Sequence, residues 1–115
     1  MDNETILRAL KALSDPTRFR IVRFLSGMSS GIASVDEEGG VYDRPTASEI
    51  CCHITGAEKI TSTVSHHLHE LENAGLIFIE RQGKRMLCTL RPEMFELLSS
   101  HFQLIAKGEV ASNCC

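Results

Sequence analysis

Apolar positions fall on helical stripes at both ends of the chain and alternate two by two in between. In residues 4–13, Ile6, Leu7, Leu10 and Leu13 share a stripe, with Asp2 or Asn3 placed to cap it. Ser14-Asp15-Pro16-Thr17 restarts the chain as a second helix, because Asp15 is a good N-cap and Pro16 suits the first helical position. Phe19, Ile21, Val22 and Leu25 supply its buried side, and Gly27 stops it. Residues 27–45 hold Gly31, Gly39, Gly40, the acidic run Asp36-Glu37-Glu38 and Pro45, which predicts a long exposed loop that builds no core.

Regular structure resumes at Thr46-Ala47-Ser48-Glu49, a capping box that opens a short helix through Ile54. A turn at 55–59 leads into residues 60–76. There Val64, Leu68 and Leu71 recur at i, i+4 and i+7, Thr61 or Ser62 caps the start and Gly75 ends the helix. Ser62, Thr63, Ser65, His66 and His69 then face outward. Short hydroxyls and imidazoles on one helix face can meet base edges and phosphates in a major groove. Two short helices joined by a brief turn, the second with such a face, make a helix-turn-helix.

The alternation that follows, Leu76-Ile77-Phe78-Ile79, a turn at Gln82-Gly83-Lys84, and Met86 to Leu90, predicts a β-hairpin with Arg81, Lys84 and Arg85 near its tip. Pro92 opens a last helix with Phe95, Leu98, Phe102 and Ile105 in register, closed by Gly108. The expected fold is mainly α with a small hairpin wing, a winged helix-turn-helix. The first and last helices are more apolar than so small a core can cover, so they predict a two-fold dimer that sets two reading helices on successive turns of DNA.

Length and charge refine this picture. At 115 residues the chain fits one domain: residues 1–108 for DNA binding and dimerisation, including the 27–45 loop, and residues 109–115 as a flexible tail. The net charge of −3 argues against a nucleic-acid partner until its distribution is considered. Residues 59–91 carry Lys59, Arg81, Lys84, Arg85 and Arg91 against Glu70, Glu72 and Glu80, so the middle of the chain is basic while both ends are acidic. Phosphates respond to the field within about 8 Å at physiological salt, which makes the local sign the relevant one. No apolar run approaches the roughly 18 residues of a membrane span. The start, Met1-Asp2-Asn3-Glu4, lacks the features of a signal peptide, which predicts a cytoplasmic protein.

At this point the residues resemble the ArsR/SmtB family of winged-helix metal-responsive repressors. Leu13-Ser14-Asp15-Pro16-Thr17-Arg18-Phe19-Arg20-Ile21 looks like the family's LSDPTRLRIL stretch. Thr63-Val64-Ser65-His66-His67-Leu68, with Leu71 and Ala74-Gly75-Leu76, is similar to its TVSxHLxxLxxAGLV stretch. The resemblance implies a homodimeric repressor on double-stranded operator DNA and no enzymatic activity. Ser62, Thr63, Ser65, His66 and His69 would face the groove, with Arg81, Lys84 and Arg85 on the wing. The family's Cys-Val-Cys-Asp-Leu metal motif would fall near Thr46 to Ile50, where no cysteine stands, and its Asp-x-His site is also missing. Fold and DNA binding therefore carry over, and a ready-made sensing site does not.

The cysteines supply candidates of their own. Cys51-Cys52 lies in the first helix of the pair, and Cys114-Cys115 ends the sequence. Adjacent cysteines point about 100° apart on a helix, so a shared soft ion needs a further thiolate, which the tail of the same or the partner subunit can bring. Three sulfurs suit As(III) and similar thiophilic ions; Zn(II) would want a fourth ligand, for which His53 is available. The plainer reading makes Cys51 and Cys88 small core residues and the tail thiols inert. A rival with the same fold replaces the ion by oxidation or persulfide bridging of vicinal thiols. A rival of another class, a small thiol-exchange or metal-carrier protein, lacks a Cys-x-x-Cys motif and an acid/base partner.

Overall fold

A computed structural model describes residues 2–27, 34–35, 41–42, 44–57 and 59–108. Its helices are α1 (Asn3–Leu13), α2 (Pro16–Gly27), α3 (Ala47–Thr55), α4 (Ser62–Asn73) and α5 (Pro92–Lys107), and its strands are β1 (Ser34–Val35), β2 (Val41–Tyr42), β3 (Ile77–Gln82) and β4 (Arg85–Leu90). The capping chemistry acts as expected. Asp2 Oδ1 accepts from Thr5 N at 2.8 Å, Asp15 Oδ2 accepts from Arg18 N at 3.0 Å, and Thr46 and Glu49 form the reciprocal box. Each satisfies a donor that a helix start leaves free.

The core is built where α1 to α4 meet the base of the hairpin. Ile21, Leu25, Ile50, Val64, Leu68, Leu71, Leu76 and Ile77 are buried together. Two stripes differ from expectation. On α1 the buried positions are Ile6, Ala9 and Ala12, while Leu7 is 61% exposed; the alanines let α1 lie close to its neighbours, and this turns Leu7 outward. On α2, Phe19 sits off the Ile21–Val22–Leu25 face and is 48% exposed.

β3 and β4 pair antiparallel from Ile77↔Leu90 to Gln82↔Arg85, so both strands run one residue or more closer to the tip than the alternation predicted. Paired residues share a face of the hairpin. Arg81, opposite Met86, therefore lies on one face and Arg85, opposite Gln82, on the other, with Lys84 in the turn. The residue before α3 adds a rung: Thr46 bridges Leu87, and Cys88 N donates to Pro45 O at 3.0 Å. The expected 27–45 loop contains a two-residue antiparallel pair, β1 with β2; the rest of it apart from Gly27, Arg44 and Pro45, like the tail 109–115, lies outside the described residues.

α5 has a single buried residue, Leu98. Phe102 and Ile105 lie one and two turns farther along the same stripe, beyond the edge of the core, and are exposed along with Leu97 and Leu104. The radius of gyration, 16.4 Å, exceeds the roughly 13 to 14 Å of a compact chain of this length. Among the described residues no helix is long and apolar enough to cross a membrane.

Candidate nucleic-acid interface

Both helices of the helix-turn-helix have defined ends at the turn between them. α3 ends on Gly56, whose φ of +83° is the left-handed value a glycine adopts without strain, and its N–H donates to Cys52 O at 2.7 Å. α4 then starts on Thr61, whose Oγ1 accepts from Val64 N at 3.2 Å. Cys51 holds this turn from inside. Its Sγ lies 3.5 Å from Thr55 Oγ1, donates to Lys59 O at 3.6 Å and approaches Thr61 Oγ1 at 4.0 Å. The thiol thus spans the end of α3 and the cap of α4.

Val64, Leu68 and Leu71 bury the inner seam of α4, which turns Ser62, Thr63, His66 and His69 to solvent and leaves Ser65 half-buried. The outward face divides in two along its length. Its first turn has no acidic residue, so the free N–H groups and the helix dipole make that end attractive to phosphate. Farther along, His66 Nε2 stands 3.8 Å from Glu70 Oε1 and His69 Nδ1 stands 3.9 Å from Glu72 Oε1. The acidic pair leaves the N-terminal half of this face, Ser62 to His66, the part free of negative charge, with His69 at its margin.

Three contacts that hold the wing, one of them from α4, had no signal in the sequence. Glu72 Oε2 accepts from Ile79 N at 3.1 Å, tying the end of the reading helix to the wing. Arg44 pairs with Glu80 at 2.9 Å, and Arg91 lies over the Phe78 ring at 5.3 Å, so both flank the hairpin rather than solvent alone. Gly75, by contrast, was readable in advance. It has φ +78°, the left-handed value that strains other residues, and a Cβ there would meet Met94 Cε at 3.0 Å, so that flexible side chain would have to give way. On the wing, Arg81 and Lys84 are exposed and Arg85 is half-buried.

The three described cysteines do not converge. Cys51 is fully buried, Cys52 is exposed on the other side of α3, and Cys88 is fully buried in β4. Burial, and secondarily Glu72, push the Cys88 thiol up to about 12 against the pull of Arg44, so it stays protonated. His53 stacks on Phe24 with ring centroids 4.2 Å apart. No group of three His, Cys, Asp or Glu side chains that could hold a metal occurs among the described residues, and Cys114 and Cys115 lie outside them.

Sequence comparison finds no matching family model and no matching curated protein. Comparison with solved structures does find neighbours. An ArsR family transcriptional regulator superposes with a TM-score of 0.68 at 22% identity, over 97% of this chain and 98% of that one. The fold is that of the ArsR-family regulators. The homodimeric winged helix-turn-helix DNA-binding domain of a possible ArsR-family regulator from Mycobacterium bovis gives 0.59 at 18% identity, over 97% of this chain and 87% of its own. A possible transcriptional regulator for arsenical resistance gives 0.60 at 23%, over 85% and 83%. In this ArsR-type frame, α3 and α4 are the helix-turn-helix and β3–β4 is the wing, the roles assigned above from their own chemistry.

Proposed function

We propose that the chain is a homodimeric ArsR-type transcriptional repressor, without enzymatic activity, that binds double-stranded operator DNA and releases it when a thiophilic metalloid, arsenite first, reaches its cysteines. The observation that carries the DNA reading is α4: its capped, acid-free first turn presents Ser62, Thr63 and His66 beside a wing that exposes Arg81 and Lys84. Phosphate contacts by the wing would hold the register while the short side chains of α4 read base edges. The exposed apolar positions on α1 and α5, Leu7, Leu97, Phe102, Leu104 and Ile105, support a dimer through those helices. The M. bovis neighbour is itself homodimeric.

The inducer reading rests on α3. The described residues do not compose a metal site by themselves, since Cys51 turns inward and Cys52 outward. A three-sulfur site therefore draws Cys52, with Cys51 only after α3 shifts, together with Cys114 and Cys115. Any pull on Cys51 is felt at Lys59 and Thr61, the approach to the reading helix. The likeness to a regulator for arsenical resistance supports a metalloid over other soft ions.

The exposure of Cys52 favours a second reading of the same fold, in which oxidation or persulfide bridging replaces the ion. Titration of the DNA-bound protein with As(III), Sb(III), Cd(II), Zn(II) and polysulfide, scored by release, separates them. Cys52→Ser is expected to keep DNA affinity and lose release by arsenite; normal release from that variant removes the site assignment. Release by polysulfide alone favours the redox reading. Absence of any specific DNA binding would return the chain to the carrier class.

A further inference from the structure

We infer that His67, Arg18 and Asp15 form a proton-sensitive latch that positions the reading helix, so that acidification exchanges the link from α4 to Arg18 for one to Asp15 and weakens DNA binding. The inference rests on the DNA-binding reading for its consequence, but the latch itself is a property of the free chain.

The geometry joins three helices through one guanidinium. Arg18 Nε donates to Ala12 O at 2.7 Å, near the end of α1, where helix carbonyls lack intrahelical partners. Arg18 Nη1 lies 3.2 Å from His67 Nδ1 on α4, and its backbone N–H donates to Asp15 Oδ2 at the start of α2. The His67 side chain is only 15% exposed, on the flank of α4 between its seam and its outward face.

A guanidinium only donates, so His67 Nδ1 must be the acceptor and the neutral ring carries its proton on Nε2. Protonation of Nδ1 removes that lone pair and sets two cations against each other. Asp15 Oδ2, 3.9 Å from the same nitrogen, then becomes the better partner. Asp15 is ionised to receive it: the Arg18 backbone N–H, followed by the His67 and Arg18 charges, holds its carboxyl below the usual range. The exchange of partner breaks the link from α4 through Arg18 to α1.

The remaining charges near the latch are mixed in sign. On α4 itself, the His66 ring is 6.2 Å from that of His67 and pairs with Glu70. Glu4, Arg8 and Lys11 of α1 line, with Arg18 and Glu70, a cleft of about 620 Å³. His66 and His69 have the opposite effect on DNA, because charging them on the outward face attracts phosphate. The latch must therefore be read as a difference between variants rather than from the pH profile of one protein.

His67→Asn supplies that difference, since an amide oxygen accepts from Arg18 but does not titrate. Affinity is measured by anisotropy on a fluorescent duplex selected from a random library with the unmutated chain at about pH 8, then followed down to about pH 5.5, the span in which histidine changes charge. The two proteins are expected to agree within about twofold at the upper pH, and the unmutated chain to fall roughly tenfold behind H67N at the lower, the cost of one charge-assisted hydrogen bond. A ratio that stays constant with pH overturns the latch. Histidine nitrogen NMR of the free chain is an independent arm: neutral His67 is expected with its proton on Nε2, and a proton on Nδ1 overturns the proposal. A chain that selects no duplex removes the DNA reading, and the NMR arm then decides the latch alone.

Discussion

Thr61 allows the stability of the reading helix and its affinity for DNA to be separated at a single atom. Its Oγ1 accepts from Val64 N at 3.2 Å, and the residue itself is exposed. Thr61→Ala removes the cap at a cost of about 1 kcal/mol, within the 0.5–2 kcal/mol range of such losses. The helix survives this, because Val64, Leu68 and Leu71 are between 2% and 0% exposed and each contributes roughly 1.5–3 kcal/mol by burial. Thr61→Asp restores the cap and suits the helix dipole, so its stability is expected to equal or exceed that of the unmutated chain. On DNA the sign reverses. A carboxylate about 6 Å from a phosphate, at an effective dielectric between about 20 and 80, costs roughly 0.7–3 kcal/mol. That corresponds to about a tenfold loss of affinity near the middle of the range. Urea unfolding followed by circular dichroism and duplex binding by anisotropy at fixed salt give the two numbers. A Thr61→Asp protein that is fully folded and binds DNA as tightly as before would refute the placement of this helix end on the phosphate backbone.

Removing the exposed wing cations with Arg81→Ala and Lys84→Ala is expected to weaken binding evenly across duplex sequences. The salt dependence should flatten by about 0.9 for each phosphate that the wing no longer neutralises, up to about 1.8 for the pair. An unchanged slope would show that the wing does not touch DNA. Native-state alkylation should label Cys52 while sparing Cys51 and Cys88, which are both fully buried and, for Cys88, held protonated up to about 12; peptide mass mapping reads the pattern. Asp2 and Asp15 both titrate below the ordinary carboxylate value, chiefly through the hydrogen bonds they accept at helix starts. A depressed folded-state pKa contributes stability above the unfolded value of about 3.9 that is lost as pH falls through the folded one. Asp15→Ala should therefore lower stability at neutral pH and shrink the deficit below about pH 3, as seen in thermal melts. Leu97→Glu with Ile105→Glu should shift the chain to a monomer in sedimentation and weaken operator binding.

The helix-turn-helix was legible because its signals are local. Thr46 with Glu49, Asp15 with Pro16, Thr61 and Gly75 are start and stop chemistry within a turn of the helix they bound, and the Val64–Leu68–Leu71 seam is a single periodicity. Burial on the two N-terminal helices was less legible. A stripe of large residues at Leu7 and Leu10 competes with the smaller Ala9 and Ala12, and the choice depends on how closely α2 and α4 approach. The faces of the wing were not legible at all: a turn that is one residue shorter sends Arg85 to the face opposite Arg81. The contacts that aim α4, from Glu72 to Ile79 N and from Arg18 to His67, are tertiary, and the latter joins residues 49 apart.

Those tertiary contacts bear on how such a reader can be switched. α4 is anchored at its start by Thr61 and Cys51, on its flank by Arg18 through His67, and at its end by Glu72. On the readings proposed above, each anchor would answer to a different chemistry: a soft ion or oxidant on α3, a proton at His67, a displacement of the wing at Glu72. Release of DNA requires no unfolding. Two half-sites read by two-fold related helices are matched only when both helices keep their spacing, and losing one anchor in each subunit changes that spacing twice. A shift too small to disturb the buried seam of Val64, Leu68 and Leu71 thus suffices to turn a cooperative pair of contacts into a mismatched one, and the stability of the fold and its control by inducer can be set independently.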